Sequence, residues 1–330
     1  MDANRAFDFI EFPANLPTRE RLIGHDRLHP DRYHGSLSLK LIALTPVFIS
    51  AGITAMGRDV GEASVPLLKV MGQNREGHPI LQGTSIKGCI RSVYETITNS
   101  ALGVEKKIKK KPEHMSAEER IFFDRKPQRG RRNGSLTPAE LVFGAMGFQG
   151  LVSIADAVGD RPLELGHLPP MFEPSAGRGR KFYRHQDSTA TAPSASDTHQ
   201  PEPDKPPSPI QQAPQGTAFA TTLRFSNLSL AQLGALLMAL GQDADHRFAL
   251  KLGAGKGKGL GSMAVALAGQ AIAPGSTLQS SRYLEYDATT EYLPESIVAE
   301  AIQAAHATGL IHSGQLARLQ QILQHPEVRS

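Results

Sequence analysis

Three short stretches of this chain carry residue types able to hold a polyanion. The first, FALKLGAGKGKGLGSMAV (Phe248–Val265), sets Gly253, Gly255, Gly257 and Gly259 at alternate positions around Lys256 and Lys258, with Gly261 following. Glycine lets a backbone approach a ligand closely, so the amide hydrogens of such a turn, together with its lysines, can cradle phosphates. A purely structural turn uses the same composition. A nucleotide P-loop is excluded, since no GxxxxGK[ST] run leading into a helix is present. In the second, GTSIKGCIR (Gly83–Arg91), the opening of a helix carries Ser85, Lys87 and Arg91; unbonded amides at a helix start attract anions, although capping by Thr84 or Ser85 satisfies the same groups. The third, GRGRKFYRHQ (Gly177–Gln186), interleaves Arg178, Arg180, Lys181, Arg184 and His185 with Phe182 and Tyr183. Cations that hold phosphates beside aromatics that stack on bases suit single-stranded nucleic acid; an edge strand with inward-facing aromatics is the alternative.

Charge is distributed to match. The 330 residues carry only +4 in total, but Lys106–Arg132 holds eleven Lys or Arg against four acids. A block of net +7 attracts phosphate backbones regardless of sequence, and it also suits a solvated basic loop. One cysteine, Cys89, excludes an internal disulfide and a multi-cysteine zinc site and reads as a small core residue. The histidines, His34 and His78 among them, show no ligand spacing. The start MDANRAFDFIEF has the form of neither a secretory signal nor a membrane span, and a cytoplasmic location with no membrane partner is expected.

These stretches need a scaffold, and the hydrophobic pattern supplies one. Ser36–Ile49 reads as a strand followed by a loop, SAGITAMGRDVGEAS. Ile86, Ile90, Val93, Tyr94 and Ile97 recur at helical spacing, with Gly103 as a stop. Leu151–Ala157 reads as a second strand. TAFATTLRF alternates cleanly, placing Phe219, Thr221, Leu223 and Phe225 on one face. Ser229 caps a helix with Leu230, Leu233, Leu236, Leu237 and Leu240 before Gly241, and Ser262–Leu267 is a fourth strand. The order β-α-β-β-α-β predicts an α+β fold with a ferredoxin-like, RNA-recognition-motif-like core. An N-terminal arm (1–35) would precede this domain (36–272), and a helical C-terminal extension (273–330) would follow it. Within that extension Leu316, Leu319, Ile322 and Leu323 form a stripe expected to pack on the main body. Two insertions interrupt the domain: the basic segment 104–135, and 187–215, where seven prolines among 29 polar-rich residues predict disorder.

In order and spacing, PVFISAG, PILQGTSIKGCIRSVYE, LVFGAMG with LVSIADA, and FALKLGAGKGKGLGSMAV resemble the RAMP superfamily of CRISPR effector proteins, and most of all the backbone subunits of type III effectors. That resemblance implies a subunit that binds guide RNA by its phosphates, presents complementary target RNA and stacks with other effector subunits. It also implies that Asp59, in MGRDVGEAS, occupies the loop where RNA-cleaving members carry an essential aspartate, with Glu62 as the local alternative and a divalent metal, Mg or Mn, as cofactor if cleavage occurs. No tightly bound cofactor is expected otherwise. A guide-RNA processing endonuclease using His34 or His185, or a non-catalytic scaffold, are the other roles the superfamily allows.

Overall fold

The computed structural model describes residues 6–101, 135–170, 179–185, 206–281 and 292–328. The basic insertion, save Ser135, and the Pro-rich segment up to Lys205 lie outside them, as does Arg178.

Strand β1 (Phe7–Glu11) precedes β2 (Tyr33–Ala43), in which Leu37, Leu39, Leu41 and Ala43 are buried while Ser38 and Lys40 face outward. β3 (Ser50–Met56) and β4 (Leu67–Met71) then form an antiparallel hairpin, with the 3-10 turn Gly57–Val60 between them. Here the expected loop SAGITAMGRDVGEAS is instead a strand and turn. Six of the seven β3 residues are exposed, so its partners are backbone groups of β4 and no alternation of hydrophobicity marks it. β5 (Ile80–Leu81) leads into α1 (Gly83–Ile97), whose face of Ile86, Ile90, Val93, Tyr94 and Ile97 is buried as its periodicity predicts. The helix stops at Ile97, ahead of Asn99 with its left-handed φ of 46°, and does not run on to Gly103.

α2 (Pro138–Phe143) starts with a Thr137–Glu140 capping box. The expected second strand is divided into β6 (Val152–Ile154) and β7 (Ala157–Gly159), because Asp156 between them turns its carboxylate onto the first amide of α1. β8 (Glu164–Leu168), β9 (Gly179–Tyr183) and β10 (Ser208–Gln212) follow. β11 (Ala218–Leu228) buries Phe219, Thr221, Leu223 and Phe225, and α3 (Leu230–Ala239) is capped by Ser229 with Gln232. β12 (Leu250–Lys251), β13 (Ser262–Pro274), α4 (Ile297–Ala307) and α5 (Ser313–Leu323) complete the chain. β13 runs past the expected strand end at Leu267 by means of a register shift between Leu267 and Gly269.

The main sheet has the order β12-β13-β2-β11-β7-β5, with β6 also pairing with β11, and every pairing is antiparallel. Its buried side shares one core with α1 and α3; α4 lies on α3, and α5 lies on α1, β1 and β9. A second sheet, β8-β10-β4-β3, uses a strand from the segment expected to be disordered: β10 pairs in parallel with β4, Ile210 is fully buried, and Ala213 bridges to Val47. Pairing with two strands distant in sequence gives a proline-rich, polar run the burial that its composition does not announce. The molecule is thus a mixed α+β fold in which two sheets share the strands' connections.

Candidate nucleic-acid interface

The glycine-lysine stretch connects β12 to β13 and is built as a tight turn. Lys256–Lys258 form one 3-10 turn, flanked by Gly255 and Gly259 at φ of 71° and 86°. Only residues tolerant of the left-handed region sit easily there. At Gly253 and Gly261 a Cβ would in addition collide with the carbonyls of Phe48 and Leu252. Several amides of the turn bond within the protein: Ala254 N–H donates to Phe48 O (2.9 Å), Gly261 N–H to Pro46 O (2.9 Å), and Lys258 N–H to Gly255 O (2.8 Å). The glycines therefore serve first to fold the loop back on the end of β2, and it is the lysines that this shape presents.

Beneath the turn lies a residue that the sequence reading passed over. Lys251 is buried, and its Nζ donates to Gly259 O (3.2 Å) and Leu260 O (2.9 Å), tying the loop's far side to β12. Burial, with Lys256 nearby, pulls its pKa down to about 7. Its place in FALKLG, between apolar residues and next to a glycine run, was the available signal.

The basic-aromatic stretch lies against this turn. β9 pairs with β1, so Arg180 and Phe182 point to one face while Lys181 and Tyr183 point to the other. Lys181 Nζ stands 3.6 Å from the centroid of the Phe7 ring and 5.0 Å from that of Tyr183, and the two rings meet edge to face at 6.1 Å. Gly257 packs on Tyr183, where an added Cβ would lie 3.3 Å from the ring. The turn that bears Lys256 and Lys258 thus packs through Gly257 beside the Lys181, Phe7 and Tyr183 group, and the two together make a cationic and aromatic ledge. Residues 74 positions apart meet there through strand pairing, which sequence spacing does not reveal.

The other predicted residues are engaged elsewhere. Arg180, with its side chain 9% exposed, pairs with Glu95 and donates to Ser100 O (2.6 Å). Burial lowers its pKa and the Glu95 charge opposes that. Arg91 takes the other oxygen of Glu95 (2.7 Å) and also donates to Gly144 O (2.9 Å). Lys87 Nζ donates to Val152 O (2.7 Å), with its pKa lowered by burial and by Arg91. Ser85 donates to Gln82 Oε1 (3.4 Å). The start of α1 holds an anion of the protein's own, since Gly83 N–H donates to Asp156 Oδ1 at 2.7 Å. His185 bonds Ser262 Oγ (2.8 Å) and Ala249 O (3.1 Å), and burial holds its pKa near 3, so the ring is neutral. His34 is buried against Asn227. Cys89 donates to Lys251 O.

Asp59 lies in the 3-10 turn at the tip of the β3–β4 hairpin, 61% exposed, with Oδ1 3.7 Å from Arg58 Nε. Glu62 closes that turn through its backbone, donating to Gly57 O (2.7 Å). Among the described residues, the group of side chains able to gather around a metal is Asp243, His246 and His306, away from both places. Among the described residues, the outward side of the main sheet carries Ser38, Lys40, Ala220, Thr222 and Arg224. Among the described residues, no helix is long and apolar enough to cross a membrane.

Comparison with known proteins gives a match of residues 40–264 to the family described as RAMPs, RAMP superfamily. No curated protein matches the chain. Among solved structures, a chain from the cryo-EM structure of the type III-B Cmr-beta bound to cognate target RNA is similar at 14% identity with a TM-score of 0.36; the similarity covers 74% of this chain and 62% of that one.

Proposed function

The chain belongs to the RAMP superfamily, and from that premise we propose that it is a guide-RNA-binding backbone subunit of a type III-like CRISPR effector complex. The observation that carries this reading is the ledge itself. A glycine-shaped turn presents Lys256 and Lys258 beside Lys181, Tyr183 and Phe7, which offers phosphate-holding cations next to aromatic faces. The antiparallel order of β13, β2, β11 and β7, with α1 and α3 as crossovers, supports a ferredoxin-like core beneath it. Ser85, Lys87, Arg91, Arg180 and His185 act in this reading as supports of the fold, because their polar groups are engaged inside it. Complementary target RNA and sister subunits are the remaining partners.

Target cleavage is the finer part of the proposal. Asp59, exposed at a hairpin tip, would orient a divalent metal, Mg or Mn, or polarise the 2′-hydroxyl that attacks the neighbouring phosphate. A processing role through His34 or His185 draws no support from their buried rings. The test is purification of the tagged chain from cells expressing a CRISPR array. Bound RNAs of regular length, together with co-purifying subunits, are expected. Precursor cleavage by the isolated chain, or recovery of a complex without RNA in contact with this subunit, overturns the reading.

A further inference from the structure

Apart from the ledge, the fold assembles a second chemical group from residues 60 positions apart. Asp243 lies in the turn after α3, and its buried carboxylate is oriented by Asp245 N–H, which donates to Oδ1 at 3.1 Å. The other oxygen, Oδ2, faces two imidazoles, His246 Nδ1 at 2.8 Å and His306 Nε2 at 3.3 Å. All three ligand atoms lie within 4.8 Å of one another. The side chains are 6%, 27% and 40% exposed in that order, so the carboxylate forms the floor and the rings open towards solvent.

We propose that Asp243, His246 and His306 form a zinc-binding site that ties helix α4 to the turn between α3 and β12. Two imidazole nitrogens and one carboxylate oxygen are a zinc donor set, and the open side leaves the fourth position to water. The positions are fixed before any metal arrives. Asp243 and His246 are brought to one side by a turn in which His246 N–H donates to Asp243 O (3.2 Å). His306 sits in the last turn of α4, and α4 is seated on α3 so closely that a Cβ at Gly234 would collide with Ala301 O. The hydrogen bond from Asp245 is the outer contact that leaves Oδ2 directed at the rings. Without metal the ring N–H groups converge on Oδ2; with metal each neutral ring presents that nitrogen's lone pair and carries its proton on the other nitrogen. Metal–ligand distances of about 2.0–2.2 Å require only a small separation of the three groups.

The test uses the full chain, stripped with a chelator and titrated with Zn²⁺ by calorimetry and by thermal unfolding. One equivalent is expected to bind, and the melting temperature is expected to rise with zinc concentration, as for any ligand that prefers the folded state. His306→Ala, at an exposed position, should fold normally by circular dichroism yet weaken binding by roughly a hundredfold and abolish the thermal shift. His246→Ala should do the same. His78→Ala, on an exposed turn away from the group, should change nothing. Co²⁺ in place of Zn²⁺ should give the visible absorption of a four-coordinate site. Absence of binding by the unaltered chain, or binding equal in the His306 and His78 variants, overturns the proposal and leaves Asp243 as the acceptor of an internal hydrogen-bonded triad.

Discussion

Lys256 and Lys258 act by charge, and a charge that neutralises an RNA phosphate acts through counterion release. Replacing both with alanine should weaken RNA binding for every guide sequence and reduce the slope of log affinity against log salt by about 0.7 for each lost contact. Filter binding over a salt series checks this, and an unchanged slope would remove the two lysines from the interface. At the hairpin tip, Asp59→Asn keeps shape and removes charge; in the assembled complex it should abolish metal-dependent cleavage of labelled target RNA while leaving binding within about a few-fold. Glu62→Gln is the register control. Full activity in the Asp59 variant with loss in the Glu62 variant would move the catalytic carboxylate, and full activity in both would make the subunit a non-cleaving one. His185 sets an acid limit on stability. Its folded pKa, near 3, lies below the ordinary value of 6.5, so the unfolded chain binds the extra proton first and stability falls as pH drops from 6.5 towards 3. Melting temperatures of the native chain and of His185→Gln, measured from pH 7 to 4, should converge as pH falls.

At the scale of elements, the contact between α3 and α4 has a sharp signature. Glycine to alanine inside a helix ordinarily stabilises by about 1 kcal/mol. At Gly234 the sign should reverse, because the new methyl meets Ala301 O and backbone has nowhere to yield; a loss of about 1–3 kcal/mol is expected in chemical denaturation. A stabilised variant would show that the helices can separate at no cost. β10 offers the complementary case. Its Ile210 is fully buried between β8 and β4, so Ile210→Ala should cost about 2–5 kcal/mol despite the disorder-like composition around it.

Taken whole, the molecule makes its C-terminal extension part of the core. Ile297, Ala301 and Ala305 of α4 and Leu316, Leu319, Ile322 and Leu323 of α5 are buried, and they cover α3, α1 and the β1–β9 pair that carries Lys181 and Tyr183. Ending the chain before Ile297 should therefore expose the apolar surface of α3 and yield an insoluble or unfolded product; a soluble truncated chain with its cooperative melt intact would contradict this packing. The same arrangement links the ledge to the far end of the sequence, since Arg318 of α5 and Arg184 both pair with Asp8 of β1.

Local pattern was enough for the elements whose stability is mostly their own. The alternating TAFATTLRF, the stripe of α1 and the Ser229 cap are legible because a half-buried strand, an amphipathic helix and a helix start each impose a short-range period or residue choice. The glycine-lysine turn and the GRKFY strand could likewise be marked as anion-handling candidates from residue type alone. Which of their charges face outward was decided by the tertiary structure. Pairing with β1 sent Lys181 and Tyr183 to the ledge and Arg180 inward to Glu95, and Asp156 filled the anion position at the start of α1. The β3–β10 sheet and the Asp243–His246–His306 group were illegible for one shared reason. Their partners come from distant segments, and a polar strand or an isolated histidine gains its role only when folding brings a backbone edge or a carboxylate to it, at distances no linear spacing encodes.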